Sequence, residues 1–127
     1  MLSESLIVTT LVVTDLDQAK RFYGEQLGLR LLEESSSACR FGAGKGSQLT
    51  IRRGQTSATR QTVAHFEVDD LEAVVRQLVA RGVVFEEYET PKTVGFIAQV
   101  GPARGAWFMD PAGNLLGLRE GPIPTAG

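Results

Sequence analysis

The sequence predicts an α+β fold built from two related modules, and three observations support this prediction. The first is an internal duplication, because residues 13–21 align with residues 68–76 without a gap and share an aspartate and an arginine at equivalent positions. The second is that each copy passes from a strand-like apolar run to apolar residues at helical spacing. The third is the length of 127 residues, which suits one domain.

The first module is predicted to begin with a strand and a capped helix. Residues 6–13 form an apolar run rich in β-branched side chains. Asp15 follows as a helix N-cap, with Gln18 three residues later as in a capping box, and Gly28 is placed to end the helix. A glycine-rich turn is predicted at residues 42–46. Three further strands are predicted, over residues 29–34, 38–42 and 48–53.

The second module is predicted to repeat this order after a polar linker. A strand over residues 63–68 precedes a helix that Gly82 ends, and Asp110 opens a tight turn of sequence DPAG. Further strands are predicted over residues 83–88, 96–100, 106–109 and 114–120. We therefore expect a single domain over residues 1–127, with modules at 4–53 and 62–120, a linker at 54–61 and a loose tail at 121–127.

Composition and charge exclude several classes of function. An apolar content of 43% with 22% charged residues is ordinary for a soluble globular protein. A net charge of -2 and a pI of about 5.4 offer no basic surface to nucleic acid, so we expect no such partner. Cys39 is the single cysteine, and the N-terminus lacks a signal-peptide pattern. No apolar run is long enough to span a membrane, so we expect a cytoplasmic protein.

Alternation of side chains along the strands predicts two different faces in each sheet. In the strand over residues 63–68, His65 and Glu67 point away from Ala64 and Phe66. The apolar set should pack on the helices, which leaves a face of mixed polarity that is either a solvated surface or the lining of a cavity. The residues predicted to bind a ligand on that face are Thr10, Gln48, Thr50, Arg52, His65, Trp107 and Arg119.

Each candidate has a structural and a functional interpretation. His65 is the only histidine, and because no base or nucleophile pairs with it in the sequence, a hydrogen-bonded wall residue is favoured over an acid/base catalyst. Arg52 and Arg119 either reach solvent or form an anion clamp, since arginine binds carboxylate and phosphate groups bidentately. The threonines and Gln48 either hydrogen-bond a ligand or satisfy one another.

Three segments resemble a known family when they are taken in order: LVVTDLDQAKRFYGEQLGL, HFEVDDLEAVVRQLVARGV and WFMDPAGNLLGL. They are similar to the vicinal oxygen chelate superfamily, also called the glyoxalase/bleomycin resistance/dioxygenase superfamily, over about residues 4–120. The resemblance implies two βαβββ modules that form a curved eight-stranded half-barrel around a ligand cavity, commonly in a homodimer. Members of this superfamily include metal-dependent isomerases, thiol transferases and dioxygenases, and metal-free proteins that bind a drug.

The resemblance also implies where a metal would be held. The four ligand positions of the family fall on Val8, Thr50, Val63 and Gly117, and none of these is a usual metal ligand. A shift of two residues would test Thr10, His65 and Arg119 instead, and that set is no better. We therefore predict no metal and no other cofactor.

Three functions remain open at this point. The favoured one is a metal-independent small-molecule binding protein that sequesters an antibiotic or a metabolite. The alternative is a metal-dependent or His-assisted lyase, isomerase or dioxygenase, with His65 as the candidate catalytic residue. The third is a protein whose cavity has become a dimer interface without a ligand. A retained metal would favour the enzyme, and a closed apolar pocket would favour the interface.

Overall fold

The structure, a computed structural model, describes residues 1–56 and 61–124. These residues form two compact units, one with residues 1–56 and 110–114 and the other with residues 61–109 and 115–124. Each unit holds one four-stranded sheet and one α-helix, which confirms the predicted α+β class. The elements are β1 (Val8–Val13), α1 (Leu16–Arg21), β2 (Arg30–Glu34), β3 (Ala38–Gly42), β4 (Gln48–Arg53), β5 (Thr62–Glu67), α2 (Leu71–Ala80), β6 (Ala98–Val100), β7 (Ala103–Met109) and β8 (Leu115–Glu120).

The sheet of the first unit has the strand order β1-β4-β3-β2. β1 is parallel to β4, and the other neighbours are antiparallel. The register places Thr10 beside Thr50 and Thr50 beside Arg40, so these three side chains form one row across the sheet. The predicted bounds of β3 and β4 are confirmed, whereas β1 begins two residues later than predicted.

Helix α1 covers the other face of this sheet. Asp15 is its N-cap, since Oδ1 accepts a hydrogen bond of 3.0 Å from the backbone N–H of Gln18, as predicted. The helix continues as one π-helical turn over Phe22–Gln26, and Gly28 then adopts a positive φ of 77°. Phe22 and Tyr23 are buried. Full burial of a large apolar side chain such as that of Phe22 stabilises the folded state by roughly 1.5–3 kcal/mol.

The sheet of the second unit repeats this arrangement with the order β5-β8-β7-β6. β5 is parallel to β8, and β7 is antiparallel to both of its neighbours. His65 and Trp107 are both paired with Gly117 in this register, so the three residues form a row. The carboxylate of Asp70 caps α2 by accepting a hydrogen bond from the N–H of Ala73.

The predicted strand over residues 83–88 is wrong. Only Phe85 forms a β-bridge there, with Phe108, and Glu86 donates one backbone hydrogen bond to Trp107. The physical reason is that this edge of β7 has two partners. β6 pairs with residues 103–105, which leaves only the end near Phe108 for residues 83–88. The chain between these two contacts contains Pro91 and residues with positive φ, which end regular pairing, so β6 is also shorter than predicted.

The segment Asp110–Asn114 contains the predicted tight turn, and Asp110 at its start is buried. It belongs to the first unit, where Asp110 accepts a hydrogen bond from the hydroxyl of Tyr23 and Asn114 donates one to the carbonyl of Val12. The predicted linker and tail lie partly outside the described residues, at 57–60 and 125–127. Within the described ranges, no helix is long and apolar enough to cross a membrane.

Candidate functional site

A cavity of about 280 Å³ opens on the sheet of the second unit. Arg104 contacts Glu72 of α2, so by alternation Trp107 lies on the face opposite to the helix. The cavity lies on that opposite face, which is the one that the sequence predicted as a possible lining. Its lining comprises Thr62, His65, Val100, Pro102, Ala103, Arg104, Gly105, Trp107, Gly117, Leu118 and Arg119.

The indole of Trp107 forms the aromatic surface of this cavity. A Cβ atom added at Gly105 would lie 3.1 Å from the indole ring, and one added at Gly117 would lie 3.4 Å from it. The two glycines therefore provide the space in which the indole lies against the sheet. The ring of Tyr88 meets the indole edge-on, with the ring centroids 5.7 Å apart, and this contact fixes the orientation of the indole.

A cluster of His65, Glu67 and Arg119 borders the cavity. His65 Nε2 lies 3.5 Å from Glu67 Oε2, and Arg119 Nη1 donates to Glu67 Oε1 at 2.6 Å. Arg119 Nη2 also donates to the carbonyl of Pro122 at 3.0 Å. The interpretation that nothing pairs with His65 is therefore wrong, because Glu67 lies two residues away on the same face of β5. Arg119 is already neutralised by this carboxylate, which argues against its use as a free anion clamp.

The other four predicted site residues lie on the sheet of the first unit. Thr10 and Thr50 are direct neighbours between β1 and β4, and Gln48 accepts a hydrogen bond of 3.0 Å from Arg40. Arg52 is exposed at the end of β4. Arg40 was not among the predicted site residues, although its alternation with Cys39 and Phe41 could have placed it on this face. The structure therefore brings together His65, Trp107 and Arg119 in one cavity, and Thr10, Gln48 and Thr50 on another sheet.

The donor set does not fit a metal ion. Val8 and Thr50 belong to the first sheet, and Gly117 lies in the cavity lining of the second. An irregular register in β5 places Thr62 in the lining, and Val63 is not part of it. No three His, Cys, Asp or Glu side chains converge among residues 1–56 and 61–124. The remaining pair, His65 and Glu67, is too small a set for a divalent ion.

Similar solved structures share the fold over nearly the whole chain. An antibiotic binding protein from Streptomyces sp. CB03234 is 24% identical, with a TM-score of 0.76 over 96% of this chain and 99% of that one. A glyoxalase/bleomycin resistance protein from the same organism is 26% identical, with a TM-score of 0.68 over 90% and 98%. A genomically encoded fosfomycin resistance protein from Listeria monocytogenes is 19% identical, with a TM-score of 0.72 over 94% and 95%.

Sequence comparison identifies the family directly. The curated proteins include no significant match to this chain. The family model described as Glyoxalase/Bleomycin resistance protein/Dioxygenase superfamily matches residues 5–118, which include both helices, strands β1 to β7 and most of β8. Because this match spans the strand, helix and three strands of each unit, the chain belongs to the glyoxalase/bleomycin resistance protein/dioxygenase superfamily.

Proposed function

We propose that this protein is a metal-independent small-molecule binding protein that sequesters an antibiotic or a metabolite. The observation that carries the proposal is the indole of Trp107, which lies over Gly105 and Gly117 in a cavity of about 280 Å³. A large aromatic surface with a few polar groups at its border is typical of a small-molecule site. An antibiotic binding protein and a fosfomycin resistance protein are among the similar structures, which supports this class of ligand.

Trp107 provides the test, because it is the only tryptophan of the chain. We expect planar aromatic antibiotics and metabolites to quench or shift its fluorescence in a saturable manner, since such a ligand would stack on the indole. Trp107→Phe should remove the signal, and calorimetry with this variant would show how much affinity is lost. A broad compound panel that leaves the fluorescence and the melting temperature unchanged would contradict the proposal.

Gly117→Val tests whether the ligand occupies the cavity itself. A Cβ at this position would lie 3.3 Å from His65 and 3.5 Å from Thr62, so the larger side chain fills the space beside the indole. We expect binding about tenfold weaker or worse, which corresponds to a loss of about 1.4 kcal/mol. Gly44→Val is the matched control, because a Cβ there meets nothing within 4 Å. Equal affinity in both variants would place the ligand elsewhere.

A His-assisted enzyme is the second candidate, and the contact between His65 and Glu67 favours it. A carboxylate 3.5 Å from the imidazole can orient the ring for proton transfer. Mass spectrometry of any ligand recovered from the protein distinguishes the two functions. We expect the ligand to be returned unchanged, whereas a product that disappears in His65→Gln would establish the enzyme.

The proposal extends to the setting of the protein. We propose a cytoplasmic homodimer, which agrees with the single cysteine of the sequence and with the arrangement that the family resemblance implies. Light scattering coupled to size-exclusion chromatography should give about twice the chain mass of 13.7 kDa. A mass equal to that of one chain would overturn the dimer and leave the binding function untouched.

A further inference from the structure

Arg40 lies on the sheet of the first unit among polar side chains. It is the direct neighbour of Thr50 between β3 and β4, and Thr50 is in turn the neighbour of Thr10. Its Nη1 donates a hydrogen bond of 3.0 Å to Oε1 of Gln48. The guanidinium group is therefore held over the sheet, with two threonine hydroxyls in the same row. We call this group of Thr10, Arg40, Gln48 and Thr50 the Arg40 cluster.

The guanidinium of Arg40 lacks a full set of acceptors. Its Nε is buried and has no hydrogen-bond partner among the described residues. None of the ion pairs formed within residues 1–56 and 61–124 includes Arg40. Buried donors in folded proteins are almost always paired, so an unpaired Nε indicates an acceptor that the polypeptide itself does not supply.

The charges around Arg40 do not provide that acceptor. Glu33 is its cross-strand neighbour on β2, yet none of the ion pairs among the described residues joins these two side chains. Gln48 uses its carbonyl oxygen for Arg40, which leaves the amide NH2 group of Gln48 as a further donor. The cluster thus combines one permanent cation with amide and hydroxyl donors, and this combination recognises anionic oxygen atoms.

We propose that the Arg40 cluster binds a small oxyanion, namely a carboxylate or a phosphonate group of an organic molecule. A small rotation of the guanidinium toward the ligand gives Nε its acceptor, and the hydroxyls of Thr10 and Thr50 bind the remaining oxygen atoms. This site lies on a different sheet from the Trp107 cavity. It goes beyond the proposed function, and it depends on no residue that the cavity uses.

Nitrogen-15 NMR of the arginine Nε–Hε groups tests the site on the intact protein. Benzoate and phenylphosphonate serve as anionic probes, and benzyl alcohol and benzylamine as neutral and cationic controls. We expect a saturable shift of the Arg40 signal, assigned by its loss in Arg40→Gln, with the anions only. Comparison of the two anions shows which oxyanion the site prefers. No shift with either anion, or an equal shift with benzyl alcohol, would overturn the proposal.

Matched variants separate a binding role from a structural one. Arg40→Gln should weaken anion binding about tenfold or more, while Arg40→Lys should retain part of it because the charge remains. Arg53→Gln, an exposed arginine at the end of the same strand pair, should bind as the unmodified protein does. Equal affinity in Arg40→Gln and Arg53→Gln would refute the site. Trp107 fluorescence follows the cavity separately, so failure of one proposal is distinguishable from failure of the other.

Discussion

The hydroxyl of Tyr23 donates a hydrogen bond of 2.7 Å to Asp110, and both side chains are almost completely buried in the first unit. Asp110 also accepts hydrogen bonds from the backbone N–H groups of Ala112 and Asn114. Burial, followed by the charge of Asp110 and its hydrogen bond, raises the pKa of Tyr23 far above its ordinary value of 10.0. The folded protein therefore keeps this hydroxyl protonated.

Tyr23→Phe should lower the free energy of unfolding by about 1.5–3 kcal/mol, the usual contribution of a hydrogen bond to a charged group. The ring and its packing against Phe41 remain, so the variant removes little besides the hydroxyl. Urea unfolding at neutral pH measures the difference. Asp110→Asn and the double variant complete a thermodynamic cycle, and additive losses would show that the two groups are not coupled.

The same contact predicts a dependence of stability on alkaline pH. Because the pKa of Tyr23 is raised in the folded state, its contribution is complete below about pH 10 and declines as the pH rises above that value, where only the unfolded chain releases the proton. The unfolding free energy should therefore fall more steeply above pH 10 in the unmodified protein than in Tyr23→Phe. Parallel curves for the two proteins would contradict this assignment.

At the scale of the elements, α2 is attached to its sheet through Glu120 of β8. Oε2 of Glu120 accepts a hydrogen bond of 2.9 Å from the N–H of Leu71, and Oε1 pairs with Arg104, which also contacts Glu72. The backbone hydrogen bond and then Arg104 lower the pKa of Glu120 below its ordinary value of 4.5. A carboxylate at this position also interacts favourably with the positive end of the helix dipole.

Glu120→Gln should destabilise the protein at neutral pH, since the charge that binds the helix N-terminus and Arg104 is lost. The lowered pKa means that this contribution is present above about pH 4.5 and is lost as the pH falls through the folded value. Urea unfolding of both proteins between pH 7 and pH 3 should show curves that converge in acid. Glu25→Gln, at an exposed position, is the control, and a gap that does not narrow in acid would contradict the prediction.

At the scale of the whole molecule, the order of the chain links the two units. Residues 110–114 complete the first unit, yet in the sequence they lie between β7 and β8 of the second. The first unit therefore acquires Asp110 and Asn114 only when most of the chain is present. Because a segment from the second half of the chain belongs to the first unit, we expect the chain to unfold as one cooperative system.

A fragment of residues 1–56 should not fold by itself. It lacks the carboxylate of Asp110, which accepts a hydrogen bond from Tyr23. It also lacks the side-chain amide of Asn114, which donates a hydrogen bond to the carbonyl of Val12. We expect circular dichroism of the fragment to show an unfolded chain, and the full chain to unfold in a single transition. A fragment with a cooperative melting transition would show that the first module is independent of the turn.

The sequence was sufficient for the fold class and for the repeated passage from strand to helix, because duplication, periodicity and caps such as Asp15 can be read along the chain. The family was indicated by the resemblance of three sequence segments, and the family match confirms it. Alternation along a strand is set by the backbone alone, and it predicted one face for Trp107 and His65, which both line the cavity. The sequence prediction was wrong at residues 83–88, because a strand requires a free partner edge, and β6 already occupies residues 103–105 of the β7 edge.

Only the tertiary structure decided the content of the site. The pairing of Glu67 with Arg119 depends on how β5 lies beside β8, and the irregular register at Thr62 determines which residue enters the lining. The unpaired donor of Arg40 is likewise visible only after every neighbouring acceptor has been placed. The physical reason is common to these cases: distances between side chains on different strands follow from sheet register, which local sequence patterns do not specify.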